Sequence, residues 1–213
     1  MIWLRGLGNR MREIVLATHN LGKVRELREL LKDLPLNIKS LQDFPDLPEI
    51  KETGRTFREN ARIKAAAVFK YTGITSLADD SGLEVGSLNG APGVYSSRYA
   101  GEERNDPANN KKLLQALADI PIAKRQADFR SVICLKLTTG EELYTEGICQ
   151  GRIAFEAKGE NGFGYDPLFL AEPDYLKTMA ELSLAEKNAV SHRGRAFKKM
   201  KTILEQLLKE GKI

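Results

Sequence analysis

Residues 14–34 read IVLATHNLGKVRELRELLKDL, and their pattern decides the fold class. Ile14-Val15-Leu16-Ala17 is a clean apolar strand. Val24, Leu27, Leu30, Leu31 and Leu34 then recur at helical spacing on one face, and Pro35 ends the helix. Between strand and helix lies a polar turn, Thr18-His19-Asn20-Leu21-Gly22-Lys23. Such a turn presents backbone N–H groups and a positive helix end to an anion. Thr18 and Asn20 can donate hydrogen bonds there, and Lys23 can place a cation on a phosphate. The Walker A pattern GxxxxGK[ST] is absent. An ordinary capped turn would explain the same residues.

Outward from this unit, the alternation continues. A short strand spans Leu36 to Ser40, followed by a loop punctuated by Pro45 and Pro48 and carrying Glu49 and Glu52. A second helix is expected from about Thr56 to Tyr71, with Phe57, Ala61, Ala65, Val68 and Phe69 inward and Gly73 as its stop. Ile74 to Ala78 reads as a strand that runs into Asp79-Asp80-Ser81-Gly82, with Leu83-Glu84-Val85 resuming extended structure. Residues 90–106 form a long Gly- and Pro-containing loop, and a helix spans about Pro107 to Asp119. Strands at about Ala127–Thr138 and Glu142–Gly151 face each other across Thr139-Gly140 as a hairpin. A Gly-rich turn, Gly159 to Pro167, precedes the strand Leu168–Leu170. Ser183 with Glu186 forms a capping box, and a final helix starts near Ser191 with Ala196, Phe197, Met200, Ile203, Leu204 and Leu207 as its buried stripe. Early alternation with a hairpin in the middle predicts an α/β fold with a mixed sheet.

The chain's 213 residues suit one domain and are enough to bury roughly 70% of the unfolded surface. With 42% hydrophobic and 29% charged residues, disorder is excluded. No apolar run approaches the ~20 residues that span a bilayer, so no membrane partner is expected. Two cysteines, Cys134 and Cys149, make no disulfide scaffold and fit a reducing, cytoplasmic compartment. Two histidines cannot build a His-rich zinc site, so any metal is a hard ion on carboxylates. The net charge is +4, but residues 1–12 carry +3 and residues 195–213 carry +4, which leaves the body at −3. Basic ends on a slightly acidic body do not describe a nucleic-acid partner. Residues 1–11 show no period and are expected to be a non-essential extension, with residues 12–213 as the single functional domain.

Several further groups bear chemistry. In extended backbone Asp79 and Asp80 point to opposite faces, so only one meets a given cleft, as magnesium ligand or general base. Glu49 or Glu52 can supply a second carboxylate. Lys64 lies near the apolar face of the second helix, where it either snorkels or reaches a phosphate. Gly162-Phe163-Gly164-Tyr165-Asp166-Pro167 holds an aromatic between glycines, which suits stacking on a base. Ser191-His192-Arg193 with Lys187 crowds cationic groups at a helix N-terminus, where the dipole disfavours them. Together these groups describe a triphosphate, a magnesium ion and a base.

The segments Thr18–Lys23, Ala78–Leu83, Gly90–Tyr99, Gly162–Pro167 and Ser191–Arg193 resemble, in order and spacing, the Ham1-like inosine triphosphate pyrophosphatase family, and within it the bacterial dITP/XTP pyrophosphatases. The resemblance covers about Arg12 to Leu208. It implies a two-lobed mixed β-sheet flanked by helices, the ITPase-like (Maf/Ham1) fold. It also implies a cytoplasmic, magnesium-dependent homodimer that hydrolyses ITP, dITP and XTP to monophosphate and pyrophosphate. By this resemblance Thr18, Asn20, Lys23 and Lys64 hold the phosphates, and Ser81 contacts substrate. Asp80 is the catalytic acid residue and shares the metal with Glu52. Phe163, Gly164, Tyr165 and Asp166 wall the base and sugar, and Lys187, His192 and Arg193 complete the base pocket. His19 departs from the Gly that many relatives carry. A Maf-like pyrophosphatase, a nucleotide-binding module without turnover and a dimerisation domain are the rival readings.

Overall fold

The computed structural model describes residues 12–101 and 105–213, so the expected extension at residues 1–11 lies outside the described residues. Six strands form one mixed sheet. β1 (Arg12–Leu16) pairs in parallel with β2 (Leu36–Ser40), which it reaches through helix α1 (Leu21–Leu31). On its other side β1 pairs in parallel with β3 (Ser76–Val85). From there the sheet is antiparallel through β4 (Gln126–Lys136), β5 (Glu142–Ile153) and β6 (Phe169–Ala171), giving the order β2-β1-β3-β4-β5-β6. The hairpin between β4 and β5 turns at Gly140, whose φ is +94°.

Local chemistry sets the helix bounds. Helix α2 (Phe57–Thr72) begins with a capping box, in which Thr56 Oγ1 accepts the Glu59 N–H at 3.1 Å and the Glu59 carboxylate accepts the Thr56 N–H at 3.2 Å. It ends at Gly73 in the left-handed conformation, φ +68°. Helix α3 (Asp106–Ala116) stops three residues before the sequence pattern suggests. The buried Arg125 guanidinium takes the carbonyls of Leu117, Ile120 and Ala154, so the chain is pinned where the helix would otherwise continue. Helix α4 (Leu184–Val190) carries the expected Ser183–Glu186 box, and α5 (His192–Lys209) is capped by Ser191, whose Oγ accepts the Gly194 N–H at 3.0 Å. The expected loop at 90–106 contains a 3₁₀ segment at Gly93–Arg98.

One expectation is corrected. Asp79-Asp80-Ser81-Gly82 is not a break between strands but the middle of the ten-residue β3, paired throughout with β4. Gly82 stands in the strand because the 93–98 segment crosses it closely. A Cβ there would lie 2.5 Å from Ser96 Oγ and 2.6 Å from the Gly93 carbonyl.

Alternation along β3 organises the core. Ala78 faces α2 in a cluster with Val15, Ala61, Ala65, Val132 and Cys134. On the opposite face Leu77 packs with Leu135, Leu27, Phe197 and Met200, under α1 and α5. Further along that same face Leu83 and Val85 pack with Phe129, Leu113 and Phe169, under α3. Asp79 and Ser81 fall between these two apolar clusters. That face of β3 therefore carries two cores separated by polar residues.

α5 sits on β5 at Gly147, where a Cβ would lie 2.1 Å from the His192 carbonyl and 2.5 Å from the Ala196 nitrogen. Both are backbone atoms that cannot rotate away. Gly147→Ala is expected to lower the free energy of unfolding by about 1–3 kcal/mol as an overpacking change. Gly86→Ala, whose Cβ would meet only the Gln126 carbonyl at 3.7 Å, is the control, expected to stay within about 0.5 kcal/mol of the parent. Urea denaturation of both variants checks this. Equal midpoints would show that α5 can lift from the sheet at no cost.

Candidate active site

Around the middle of β3 lies a cleft with a cavity of about 750 Å³, walled by residues from α1, α2, β3, β4, α3, α5 and four loops. At one end the β1–α1 turn folds back on itself. Thr18 Oγ1 accepts the Asn20 N–H at 3.2 Å, and Asn20 Oδ1 accepts the Lys23 N–H at 3.1 Å as the N-cap of α1. Thr18, Asn20 and Lys23 are thus both the capping residues of a helix and part of the cavity wall. Lys23 Nζ lies 2.7 Å from Asp79 Oδ2.

Asp80, on the other face of β3, meets α2. Lys64 Nζ donates to Asp80 Oδ1 at 2.7 Å, to the Asp79 carbonyl at 3.0 Å and to Glu52 Oε2 at 3.2 Å. Lys64 therefore does not snorkel but joins the two carboxylates. Burial pushes Asp80 up to about 6, against the pull of Lys64 and Lys23 and with the help of Glu52. Glu52 is also raised by burial, but Lys64 and a hydrogen bond with Asp80 hold it below its ordinary value. Glu49 is exposed at the rim of the cavity.

This pair fits a magnesium ion. A buried carboxylate, Asp80, and a half-buried one, Glu52, converge on one cation, an arrangement that a second positive charge relieves. Magnesium is typically held by one or two carboxylates, with water and phosphate oxygens filling the other positions. Among the described residues no three His, Cys, Asp or Glu side chains form a metal cluster, so the protein itself offers no fuller cage.

The other end of the cavity is the turn from Gly162 to Pro167. Phe163 N–H donates to Asp166 Oδ2 at 2.8 Å, and that oxygen also accepts from Lys187 Nζ at 2.6 Å. The Phe163 ring lies over Gly22, where a Cβ would come within 2.7 Å of it. Its face meets Lys187 Nζ at 4.7 Å and the Arg193 guanidinium carbon at 5.1 Å. Gly164 and Tyr165 both line the cavity, and Tyr165 also packs in the second core, its hydroxyl donating to the Ser96 carbonyl at 2.8 Å. His192 stacks on Phe129 at 4.7 Å between centroids, tilted by 15°. Burial and the neighbouring Arg193 push His192 well below its ordinary pKa, so the ring is neutral. Its Nδ1 is buried without a partner, in a side chain that forms part of the cavity wall. A buried polar atom left open in this way is completed by a ligand or a water.

Two residues central to the site escaped the sequence reading. Asp79 is buried between Lys23, Arg193 Nε at 3.3 Å, Ser81 Oγ at 3.2 Å and Ser131, whose hydroxyl donates to Oδ1. Burial would raise its pKa, but Lys23 and Arg193 outweigh it and hold the carboxyl far below the usual range. Glu26 is buried on α1, accepting from Lys187 Nζ at 2.8 Å and from Arg193 NH1. Arg193 NH2 in turn donates to Ser81 Oγ at 3.1 Å. Asp79 was visible as half of the Asp pair. Glu26 gave no signal beyond its position on the helix face next to Leu27. Lys187, expected in the base pocket, stands one layer behind the wall, bridging Glu26 to Asp166.

The comparisons with known proteins agree with this geometry. The Ham1 family model matches residues 14–203. A protein of Desulforamulus reducens named dITP/XTP pyrophosphatase is 52% identical over 195 residues, covering 92% of this chain and 96% of its own. One of Bacillus cereus with the same name is 50% identical, covering 89% and 93%. Among solved structures, a HAM1 protein from Coxiella burnetii superposes with a TM-score of 0.83 at 46% identity, covering 92% of this chain and 100% of its own. The Staphylococcus aureus Ham1 protein gives 0.81 at 42%, covering 92% and 99%. With its fold, its motifs and nearly its whole length in common with these proteins, the chain belongs to the Ham1 family.

Proposed function

We propose that this chain hydrolyses non-standard purine nucleoside triphosphates (ITP, dITP and XTP) to the nucleoside monophosphate and pyrophosphate. In this reading it uses magnesium and works as a homodimer in the cytoplasm. The observation that carries the reading is the polarity of one cavity. Lysines, carboxylates and a helix N-terminus stand at one end, and an aromatic ring, a neutral imidazole with an open nitrogen and a guanidinium stand at the other. The names of the bacterial relatives support the same chemistry. Among the described residues no helix is long and apolar enough to cross a membrane.

The phosphates fit the α1 N-terminus, with Thr18 and Asn20 shaping the turn and Lys23 and Lys64 as the cations. Asp80 and Glu52 would hold the magnesium ion. Bound there, the ion neutralises charge on the phosphate oxygens. Asp80, pushed up to about 6, is placed to orient water and take its proton. The water oxygen bonds to the α-phosphorus as the opposite bond to the bridging oxygen breaks, and pyrophosphate leaves in line. Positioning and charge do most of this work.

The purine enters between the Phe163 turn and His192. Hypoxanthine and xanthine present the acceptor O6 where adenine presents an amino group. Arg193 keeps N–H groups beyond those it gives Asp79, Glu26 and Ser81, and the open Nδ1 of His192 can carry the ring's proton, so the amino group of adenine would set donor against donor. A site built on such bonds rejects the wrong group by up to about 10⁴-fold.

Purified protein with magnesium is expected to convert ITP, dITP and XTP to monophosphate and pyrophosphate while leaving ATP nearly untouched. Chromatography of both products checks this, and removal of magnesium with EDTA is expected to stop turnover until the ion is restored. Release of single phosphate, or binding without turnover, would refute the reaction.

Asp80→Asn keeps the shape but removes the proton acceptor and weakens the metal ligand. Its kcat for dITP should fall by at least about 10²-fold, with the circular dichroism spectrum and Tm retained. A near-normal kcat would remove Asp80 from its role.

A further inference from the structure

Helix α3 meets the cleft at its first turn, and two of its side chains grip one residue of the base wall. Asp106 Oδ2 accepts the Gly164 N–H at 2.6 Å. Asn110 Nδ2 donates to the Gly164 carbonyl at 3.0 Å. Residues four apart share a helix face, so both reach the same target. Gly164 has φ +64° and Gly162 has φ +79°, so glycines flank Phe163 on both sides. Such a turn has many backbone geometries open to it, and contacts must select one. Asp166 fixes the Phe163 N–H from within the turn. From outside, the two polar bonds at Gly164 come from α3. The oxygen of the Asn110 amide is buried without a partner, so the bond from its nitrogen to Gly164 is what orients that side chain. Neither residue belongs to the charged groups that hold phosphate or metal.

We propose that Asp106 and Asn110 are positioning residues for base recognition. They clamp Gly164 from α3 and hold the Phe163 ring in the geometry that an incoming purine meets. The proposal rests on the reading of the cleft as a purine nucleotide site. With the clamp released, only a fraction of molecules presents the wall, and apparent affinity falls by that fraction. Lys23, Lys64, Asp80 and Glu52 stand on other elements, so phosphate binding and the chemical step stay as they are.

The test combines steady-state kinetics on dITP, inhibition by inorganic tripolyphosphate, which has no base, and hydrogen exchange across residues 160–166. Asp106→Ala should raise KM about tenfold if the competent fraction falls to about a tenth. Its kcat and the Ki of tripolyphosphate should stay the same, and exchange at the turn should quicken. Asn110→Ala should move KM and exchange in the same direction. Asp106→Asn retains an oxygen that can accept the Gly164 N–H, and should restore both KM and protection. An unchanged KM in Asp106→Ala, a matching rise in the tripolyphosphate Ki, or failure of Asp106→Asn to restore KM would each overturn the clamp. If the parent protein turned over no purine triphosphate, the activity reading would fall instead. Exchange would then decide on the clamp alone, with unaltered protection in Asp106→Ala refuting it.

Discussion

Two carboxylates, Asp79 and Glu26, lie inside the protein, and the cleft is built around neutralising them. A buried charge without a partner is costly, and breaking a buried pair costs about 3–5 kcal/mol. Here the partners form an alternating chain, Asp166–Lys187–Glu26–Arg193–Asp79–Lys23, with three acids and three bases. Its members come from α1, β3, the 162–167 turn, α4 and α5. The network therefore ties together the elements that frame the cleft and restricts the movement of each. It also limits what Lys23 can offer a ligand. Its ammonium is already shared with Asp79, as that of Lys64 is with Asp80 and Glu52, so much of the balance of a triphosphate's charge falls to the α1 N-terminus and a bound cation.

Some of this was legible in sequence because local rules decide it. The capping box at Ser183–Glu186, the Gly73 stop, the Ser191 cap and the α5 stripe rest on neighbours within one or two helical turns. The opposite orientation of Asp79 and Asp80 follows from strand geometry alone. Both orientations hold, within a strand that runs on through the segment instead of breaking at it. Asp-Asp-Ser-Gly has the composition of a turn, yet each residue answers to a distant partner. Asp79 is held by Lys23 and Arg193, Asp80 by Lys64, Ser81 by Arg193, and Gly82 gives room to the 93–98 segment.

Glu26 and Asp106 were not legible for the same reason. Glu26 lies between Arg25 and Leu27 and reads as an ordinary acid on an amphipathic helix, until α4 and α5 close over it 161 and 167 residues later. Asp106 reads as the end of the 90–106 loop, whereas it stands in the first turn of α3. Its bond to Gly164 spans 58 residues and exists only in the folded chain. Lys187 was identified as a site residue from its charge, but its depth behind the wall depends on the carboxylates it meets.

The continuity of β3 bears on where this chain can change in length. The carboxylate of the ion chain and the one that meets Lys64 are adjacent on one strand and separated only by the two-residue repeat of the sheet. Inserting or deleting one residue between the strand's start and Asp79 would exchange their faces, turning Asp79 toward α2 and Asp80 into the ion chain, and would invert the apolar positions along with them. Point substitution can be compensated by a neighbour, whereas a frame change along this strand cannot. An insertion or deletion in this chain is therefore compatible with the cleft only in the connections at the ends of the strand.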